Sequence, residues 1–129
     1  MSEITALDGT TLHIDDNSIV IVAGPLPDDP VNRSYITGPA PADIATNENV
    51  AALVERLHPK TPFASLTRPN NTQVWFAGSA VTLIRAPIEG ETPDGETVNA
   101  VLLIGGHRQA VKESVSTARA VANGHGANV

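Results

Sequence analysis

Arginine carries most of the positive charge in this 129-residue chain. The eight basic side chains include six arginines, which are Arg33, Arg56, Arg68, Arg85, Arg108 and Arg119. A guanidinium group binds phosphate through two parallel hydrogen bonds, so this bias suits a ligand that carries phosphate. A second explanation of the arginine excess stays open. A GC-rich genome favours arginine, together with the many Ala, Val and Pro residues.

Two of the arginines follow segments that suit anion binding. Arg33 comes just after a Pro-rich loop, and Arg108 comes just after Gly105-Gly106. Glycines let backbone N–H groups approach an anion, and Lys112 is close by in the sequence. We therefore expect Arg33 and Arg108 to contact phosphate, with Lys112 in support. A plain turn with an exposed arginine is the alternative, since the Gly-Lys-Ser/Thr ending of a phosphate-binding loop is missing.

Two adjacent aromatic residues offer a possible base-stacking surface. Trp75 and Phe76 lie in a predicted strand, so their rings point to opposite faces of the sheet. An exposed ring stacks on a purine with a gain of about 1 to 3 kcal/mol per base. Which ring is exposed stays open, and so does a role in a subunit interface. Asn99 is expected either to read a base edge or to lie on an edge strand.

Catalytic and metal-binding constellations are not expected. The chain has no Cys, which excludes disulfides, thiolate zinc sites and a cysteine nucleophile. No two of its four His residues have metal-ligand spacing, and its Ser residues lack a nucleophile-elbow context. We assign no catalytic residue, no metal and no cofactor, and expect a protein that is not an enzyme. General acid and base groups that meet only in the folded chain keep the enzymatic alternative open.

Charge and hydropathy narrow the class of partner. A net charge of −6 argues against binding to duplex nucleic acid, which needs a basic face that displaces counterions. No apolar run approaches the roughly 18 to 20 residues that a bilayer span requires, and the amino terminus lacks a signal-peptide pattern. We therefore expect no membrane partner and a cytoplasmic location.

The chain contains the same pattern of elements twice. The first copy has an expected hairpin about Asp8-Gly9, strands at 18–23 and 32–37, and a helix capped by Thr46 or Asn47 and ending at Leu57. The second copy has an expected hairpin at 63–76, strands at 79–86, 98–105 and 109–111, and a helix from Glu113 or Ser114 to Asn123. The Asp-Gly pair predicts a type I′ turn. Gly124 is expected to end the last helix in the left-handed conformation, with residues 125–129 frayed.

These elements predict an α+β fold in one domain, residues 1–129. Its two pseudo-repeated β-rich modules span 4–58 and 63–123, and each consists of a hairpin, antiparallel strands and a closing helix. In the sequence alignment of the modules, Ser18 pairs with Ser79 and Val50 with Val115. Half-size modules bury too little surface alone, so we expect them to share a core. Their open sheet edges predict a homo-oligomer, either a dimer or a larger even-numbered assembly.

The module pattern resembles the small flagellar FlbD-type module. The resemblance rests on the hairpin turn, on the strand openings Asn17-Ser18-Ile19 and Gly78-Ser79-Ala80, and above all on Val111-Lys112-Glu113-Ser114-Val115. It covers about residues 4–58 and 63–123. The tandem layout is also similar to the first family of Thoeris anti-defence proteins, phage-encoded sponges that sequester cyclic ADP-ribose isomers, and in some members cyclic oligonucleotides. That resemblance implies a non-catalytic, oligomeric binder of a nucleotide signal in the cytoplasm of a phage host.

The leading functional hypothesis is sequestration of a cyclic ADP-ribose isomer or a cyclic oligonucleotide. The expected ligand-binding residues are Arg33, Trp75, Phe76, Asn99, Arg108 and Lys112. A FlbD-type regulatory or interaction protein without a small-molecule ligand is the first alternative, and an enzyme on purine-containing substrates is the second. Arginines in a concave site favour the sponge, whereas a flat exposed apolar patch favours the regulator.

Overall fold

Ten β-strands and two α-helices make up the computed structural model, which describes residues 2–129. The first half contains β1 (Ser2–Thr5), β2 (Thr11–Ile14), β3 (Ile21–Ala23), β4 (Ser34–Thr37), β5 (Ile44–Thr46) and α1 (Val50–Arg56). The second half contains β6 (Ala64–Thr67), β7 (Gln73–Phe76), β8 (Val81–Arg85), β9 (Ala100–Ile104), β10 (His107–Val111) and α2 (Val115–Asn123). The fold class is α+β, as the sequence predicts.

The strands form three antiparallel sheets. One contains only the β1–β2 hairpin, and another has the order β10-β9-β8. The largest has the order β5-β4-β3-β7-β6, so strands from both halves of the chain meet where β3 pairs with β7. In this pairing Ile21 lies opposite Phe76 and Val22 lies opposite Trp75. The junction of β3 with β7 therefore joins the two halves through main-chain hydrogen bonds.

The two halves have the same order of elements, namely a hairpin, a short 3₁₀ helix, three strands and a helix. Val50 and Val115 are both the first residues of their helices, as the sequence alignment has them. The 3₁₀ helices, Asp16–Ser18 and Gly78–Ala80, place Ser18 in register with Ala80, one residue beyond Ser79. A full superposition of the two halves as a repeat stays a prediction.

The first hairpin turn differs from the predicted type I′ geometry. That turn needs positive φ at both central residues, but only Gly9 has one, with φ of 88°. The backbone of Gly9 donates to Ala6 O, and Ala6 N donates to Thr10 O, so a four-residue turn closes with a single left-handed residue. The second hairpin has the same bonds, with Asn71 in the left-handed position at φ of 68°.

Two clusters of buried apolar side chains form the core. The first half contributes one cluster, whose members include Ile4, Ile36 and Leu53. The second half contributes the other, with Phe76 and Leu102 among its fully buried members. Successive strand residues point to opposite faces, so Ile21 of β3 enters the second cluster and Val22 enters the first. The β3–β7 junction is therefore also where the two cores meet.

Helix α1 begins later than the sequence predicts. Asn49, not Thr46 or Asn47, is its N-cap, and its side-chain oxygen accepts from Ala51 N at 3.0 Å. Thr46 is instead the last residue of β5, a three-residue strand that pairs with β4 and that the sequence pattern did not reveal, and Asn47 follows that strand. Leu53 and Leu57 are buried against the core, as the helical spacing predicts.

Helix α2 ends at Asn123 with Gly124 as its C-cap, as the sequence predicts, but the predicted left-handed geometry of Gly124 and the predicted frayed tail were both wrong. Gly124 has right-handed geometry, with φ of −68°, and the left-handed residue is Gly126. The tail folds back on the helix, because Ala127 N donates to Ala122 O and Val129 N donates to Asn123 Oδ1. Side chains of Ala127 and Val129 pack against the second cluster. Within residues 2–129, neither helix has the length and hydropathy needed to cross a bilayer.

Candidate functional site

A cavity of about 250 Å³ lies between the two halves of the chain, and we call it the junction pocket. The first half lines it with residues that include Ala23, Tyr35 and Asp43, and the second half with Arg68, Arg108 and Gln109. Two larger depressions, of about 470 and 430 Å³, flank the β1–β2 hairpin, and neither is lined by an arginine or a lysine. A further depression, of about 270 Å³, is lined by Arg108 but also by Glu91. The junction pocket is lined by two arginines, so it is the better candidate for an anionic ligand.

Arg68 contributes to the junction pocket a guanidinium group that has an unsatisfied donor. It follows β6 directly, and its backbone N–H closes the second hairpin by donating to Thr72 O at 2.8 Å. Its Nη1 atom is buried and has no hydrogen-bond acceptor among residues 2–129. Burial lowers the pKa of Arg68 below its usual value, although a guanidinium stays charged in proteins. A buried cationic donor without an acceptor is costly, and an anion that reached this atom would satisfy it.

Arg108 brings a second guanidinium group to the rim of the pocket. It lies on β10, with 66% of its side chain exposed, and its Nη1 atom is 3.3 Å from Glu91 Oε2. Glu91 is held more tightly by Arg85, whose two terminal nitrogens bond both carboxylate oxygens. The hydrogen bonds from Arg85 and from Ile88 N lower the pKa of Glu91 to about 2. Because Arg85 already neutralises this carboxylate, Arg108 remains available to a ligand.

Gly105 and Gly106 form the turn of the β9–β10 hairpin. Their φ values, 56° and 84°, are both positive, which is the geometry of a type I′ turn. The Gly105 N–H donates to Ala80 O at 2.8 Å, so it is not free to bind an anion. The expectation that both glycine N–H groups approach an anion was therefore wrong for Gly105. The turn serves the site by placing His107 and Arg108 at the pocket.

Tyr35 is the aromatic residue of the junction pocket. Arg33 lies outside the pocket and contacts the same carboxylate, Asp29, as the Tyr35 hydroxyl. The Tyr35 hydroxyl donates to Asp29 Oδ2 at 2.5 Å, and Arg33 Nη1 is 3.9 Å from the other oxygen of this carboxylate. The bond from Tyr35 lowers the pKa of Asp29 and raises that of Tyr35. Arg33 also donates to Asn47 Oδ1 and does not line the pocket. Arg33 is therefore not a residue of this pocket, and its contact with a ligand stays a prediction.

Neither ring of the Trp75-Phe76 pair lines the junction pocket. Phe76 has no exposed surface and packs in the core of the second half, so its predicted place in the binding site was wrong. Trp75 is half-buried against the core of the first half, opposite Val22. Strand alternation separates the two rings as expected, but the β3–β7 junction uses both for packing.

Asn99 and Lys112 hold β9, β10 and the second hairpin together. Asn99 Nδ2 donates to Lys112 O at 2.6 Å, and Asn99 N donates to Val111 O. Lys112 Nζ donates to Asn71 Oδ1 at 2.6 Å, and its backbone N–H donates to Thr67 O. Neither residue lines the junction pocket, and their supporting role in ligand binding stays a prediction. Of the six predicted site residues, Arg108 is the one that lines it.

Sequence reasoning missed Arg68 and Tyr35 as pocket residues. Arg68 precedes a Pro-Asn-Asn turn, which gives no sign that its side chain is buried. The structure supplies a comparison that the sequence did not, because hydrogen bonding at the two hairpin turns places Arg68 in register with Ala6. A large charged residue at a position where the other copy has a small apolar one indicates a local function.

Comparison with known proteins gives no relative for this chain. No family model matches it, and neither a curated protein nor a solved structure matches it. Within residues 2–129, no three His, Asp or Glu side chains are grouped closely enough to hold a metal ion. The functional argument therefore rests on the geometry and charge of the junction pocket.

Proposed function

We propose that this protein binds a small phosphate-bearing nucleotide in the junction pocket and holds it without chemical change. The observation that carries the proposal is Arg68, whose buried Nη1 has no acceptor among residues 2–129 and whose side chain lines a pocket that Arg108 also lines. Two guanidinium groups on one pocket suit a phosphate, since each offers a planar fork of N–H donors. A net charge of −6 repels such a ligand at long range, so short-range contacts must supply the affinity.

The size of the junction pocket limits how much of a ligand it holds. Its volume of about 250 Å³ lies below the roughly 300 to 1,000 Å³ typical of sites that enclose a whole small molecule. A phosphate with its sugar fits this space, and the rest of the ligand then lies along the exposed rim beside Arg108. Tyr35 offers an aromatic surface at the same wall.

The proposed biological role is sequestration of a cyclic nucleotide signal. The ligand class is a cyclic ADP-ribose isomer or a cyclic oligonucleotide, and the role is that of a phage anti-defence sponge acting in the host cytoplasm. The resemblance of the tandem layout to the first family of Thoeris anti-defence proteins supports this choice. The proposal includes no catalytic step, and the groups it uses, Arg68, Arg108 and Tyr35, act in binding.

A second candidate function is that of a FlbD-type regulatory or interaction protein. The observation in its favour is the exposed apolar surface of the Pro-rich loop between β3 and β4. Leu26 is 48% exposed and Val31 is 80% exposed, which suits contact with a macromolecule. Loss of partner binding after substitution of Val31, which does not line the junction pocket, together with no nucleotide binding by the wild type, would favour the regulator.

Titration calorimetry on matched arginine variants tests the sponge proposal. Arg108→Ala removes a charge-assisted contact at the exposed rim and should weaken binding of a cyclic ADP-ribose isomer or a cyclic dinucleotide by about 1.5 to 2 kcal/mol. Arg119→Ala is the control, because Arg119 is exposed on α2 and its side chain donates to Val129 O at 3.2 Å. Mass spectrometry after denaturation should recover the ligand intact. Equal affinity of both variants, or recovery of a reaction product, would reject the proposal.

A further inference from the structure

The three sheets have six edge strands, and two of these, β8 and β2, are equivalent to strands that pair with each other elsewhere in the chain. β8 pairs with β9 alone, and β2 pairs with β1 alone. Within residues 2–129, no backbone hydrogen bond outside these pairings involves Thr82–Arg85 or Thr11–Ile14. An open strand edge presents N–H and C=O groups to which another strand can add.

The junction of β3 with β7 shows how such edges pair in this protein. β3 is the first strand after the 3₁₀ helix of the first half, and β8 has that place in the second half. β7 is the second strand of its hairpin, as β2 is of the first hairpin. β3 and β7 pair within the chain, whereas their counterparts β8 and β2 do not pair with each other. One copy of the chain therefore forms the β3–β7 junction but not the equivalent junction of β8 with β2.

Leu83 of β8 is exposed, as expected of a residue that only the missing junction with β2 would cover. In β3, Val22 enters the core of its own half, and Ile21 enters the core of the other half and is only 7% exposed. In β8, Ile84 packs against the core of its own half, which makes it the counterpart of Val22. Leu83 is then the counterpart of Ile21, and it is 39% exposed because no further core lies beyond it.

We propose that β8 of one copy of this chain pairs antiparallel with β2 of a second copy. The register of β3 with β7 places Leu83 opposite Ile14, Ile84 opposite His13 and Arg85 opposite Leu12. Beside β2 lies a depression lined by Leu7, Leu12 and Ile44, in which Leu7 is 48% exposed. This apolar surface of the second copy covers Leu83, as the core of the second half covers Ile21.

The proposed contact joins two different surfaces, so it is heterologous. Every copy has one free β8 edge and one free β2 edge, and assembly continues head to tail until a ring closes or a filament extends. Arg68 and Arg108 take no part in it, and it requires no ligand. Tests of assembly on the ligand-free protein therefore succeed or fail independently of the proposed nucleotide binding.

Sedimentation velocity on ligand-free protein at micromolar concentration is the first test. We expect the wild-type chain to sediment as an oligomer and Leu83→Lys to sediment as a 13.4 kDa monomer. Val31→Lys is the matched control, since it places the same charge on a loop residue that is 80% exposed, and it should remain oligomeric. A monomeric wild-type chain, or a Leu83→Lys variant as oligomeric as the control, would overturn the proposal.

Disulfide trapping tests the register without weakening the contact. The chain has no Cys, so Ile84→Cys and His13→Cys each introduce a single thiol. Mixed under oxidising conditions, the two variants should give a disulfide-linked dimer of one chain of each kind, whereas each variant alone should give none. A dimer of Ile84→Cys with itself would show an isologous contact and overturn the head-to-tail arrangement, as would the absence of any mixed dimer.

Discussion

Arg68 holds a charge in a place where the folded chain does not neutralise it. Its buried Nη1 atom has no acceptor among residues 2–129, whereas Arg56 and Arg85 both form close ion pairs with glutamates. Leaving a buried cation without a partner lowers the stability of the free protein. Such a cost is typical of binding residues, because the ligand supplies the missing partner.

Replacing Arg68 by a neutral residue of similar length should therefore stabilise the ligand-free protein. We expect Arg68→Met to raise the free energy of unfolding by about 0.5 to 2 kcal/mol, measured by urea denaturation. Arg56→Met is the control and should give no such gain, because Arg56 bonds both carboxylate oxygens of Glu48. A loss of stability in Arg68→Met would show that Arg68 has a structural role and not a binding role.

Glu91 should make the stability of the protein depend on pH in the acid range. Its pKa is lowered from 4.5 to about 2 by the bonds from Arg85 and Ile88 N, so the folded state binds its proton less readily than the unfolded state. The stabilisation is thus fully present above about pH 4.5 and is lost as the pH falls towards 2. Thermal unfolding of Glu91→Gln should show a smaller fall in Tm between pH 5 and pH 2.5 than the wild type.

The control for this pH effect is Glu96→Gln, which removes an exposed carboxylate from the same loop. Its Tm profile should follow that of the wild type. Identical acid profiles for Glu91→Gln and the wild type would contradict the assigned role of the Arg85 pair.

At the scale of elements, the capping residue of α2 contributes to stability. Ser114 Oγ accepts from Thr117 N at 3.2 Å and satisfies one of the free N–H groups of the first turn. We expect Ser114→Ala to lower the free energy of unfolding by about 1 kcal/mol, measured by urea denaturation. Ser116→Ala, at an exposed position inside the helix, should change it by less than about 0.5 kcal/mol. Equal effects of the two substitutions would contradict the capping role.

Local sequence patterns predicted the long elements better than the short ones. The spacing of Leu53 and Leu57 and the cap at Ser114 are local signals, and both helices form where these signals lie. β5 is only three residues long, and pairing with β4 determines it, so Thr46, its last residue, was read as a possible cap of α1. Gly126 replaces Gly124 as the left-handed residue because the tail packs on the core, which is a tertiary effect.

The pocket was harder to predict than the elements for the same reason. Arg108 was identified because glycines precede it in the sequence, which is a local signal. Arg68 and Tyr35 become neighbours of the same cavity only through the pairing of β3 with both β4 and β7. Trp75 and Phe76 were predicted for the site because strand alternation places their rings on opposite faces of the sheet. Alternation alone does not show which of the two faces is exposed.

For the whole molecule, the β3–β7 junction should make the two halves unfold together. The single Trp of the chain, Trp75, lies at this junction opposite Val22, so its fluorescence reports on the contact between the halves. We expect urea transitions followed by fluorescence and by far-ultraviolet circular dichroism to coincide. A fluorescence transition at clearly lower urea would contradict the coupling of the two cores, because it would show that the halves separate before their sheets unfold.

The central claim is that two arginines of the junction pocket bind a phosphate-bearing nucleotide, and titration calorimetry of Arg68→Met tests it most directly. The wild-type protein should bind a cyclic ADP-ribose isomer or a cyclic dinucleotide, and Arg68→Met should bind that ligand about 10- to 150-fold more weakly, since it loses a charge-assisted hydrogen bond of about 1.5 to 3 kcal/mol. Arg119→Met should match the wild type. Binding of neither ligand by the wild type, or equal affinity in Arg68→Met, would contradict the claim.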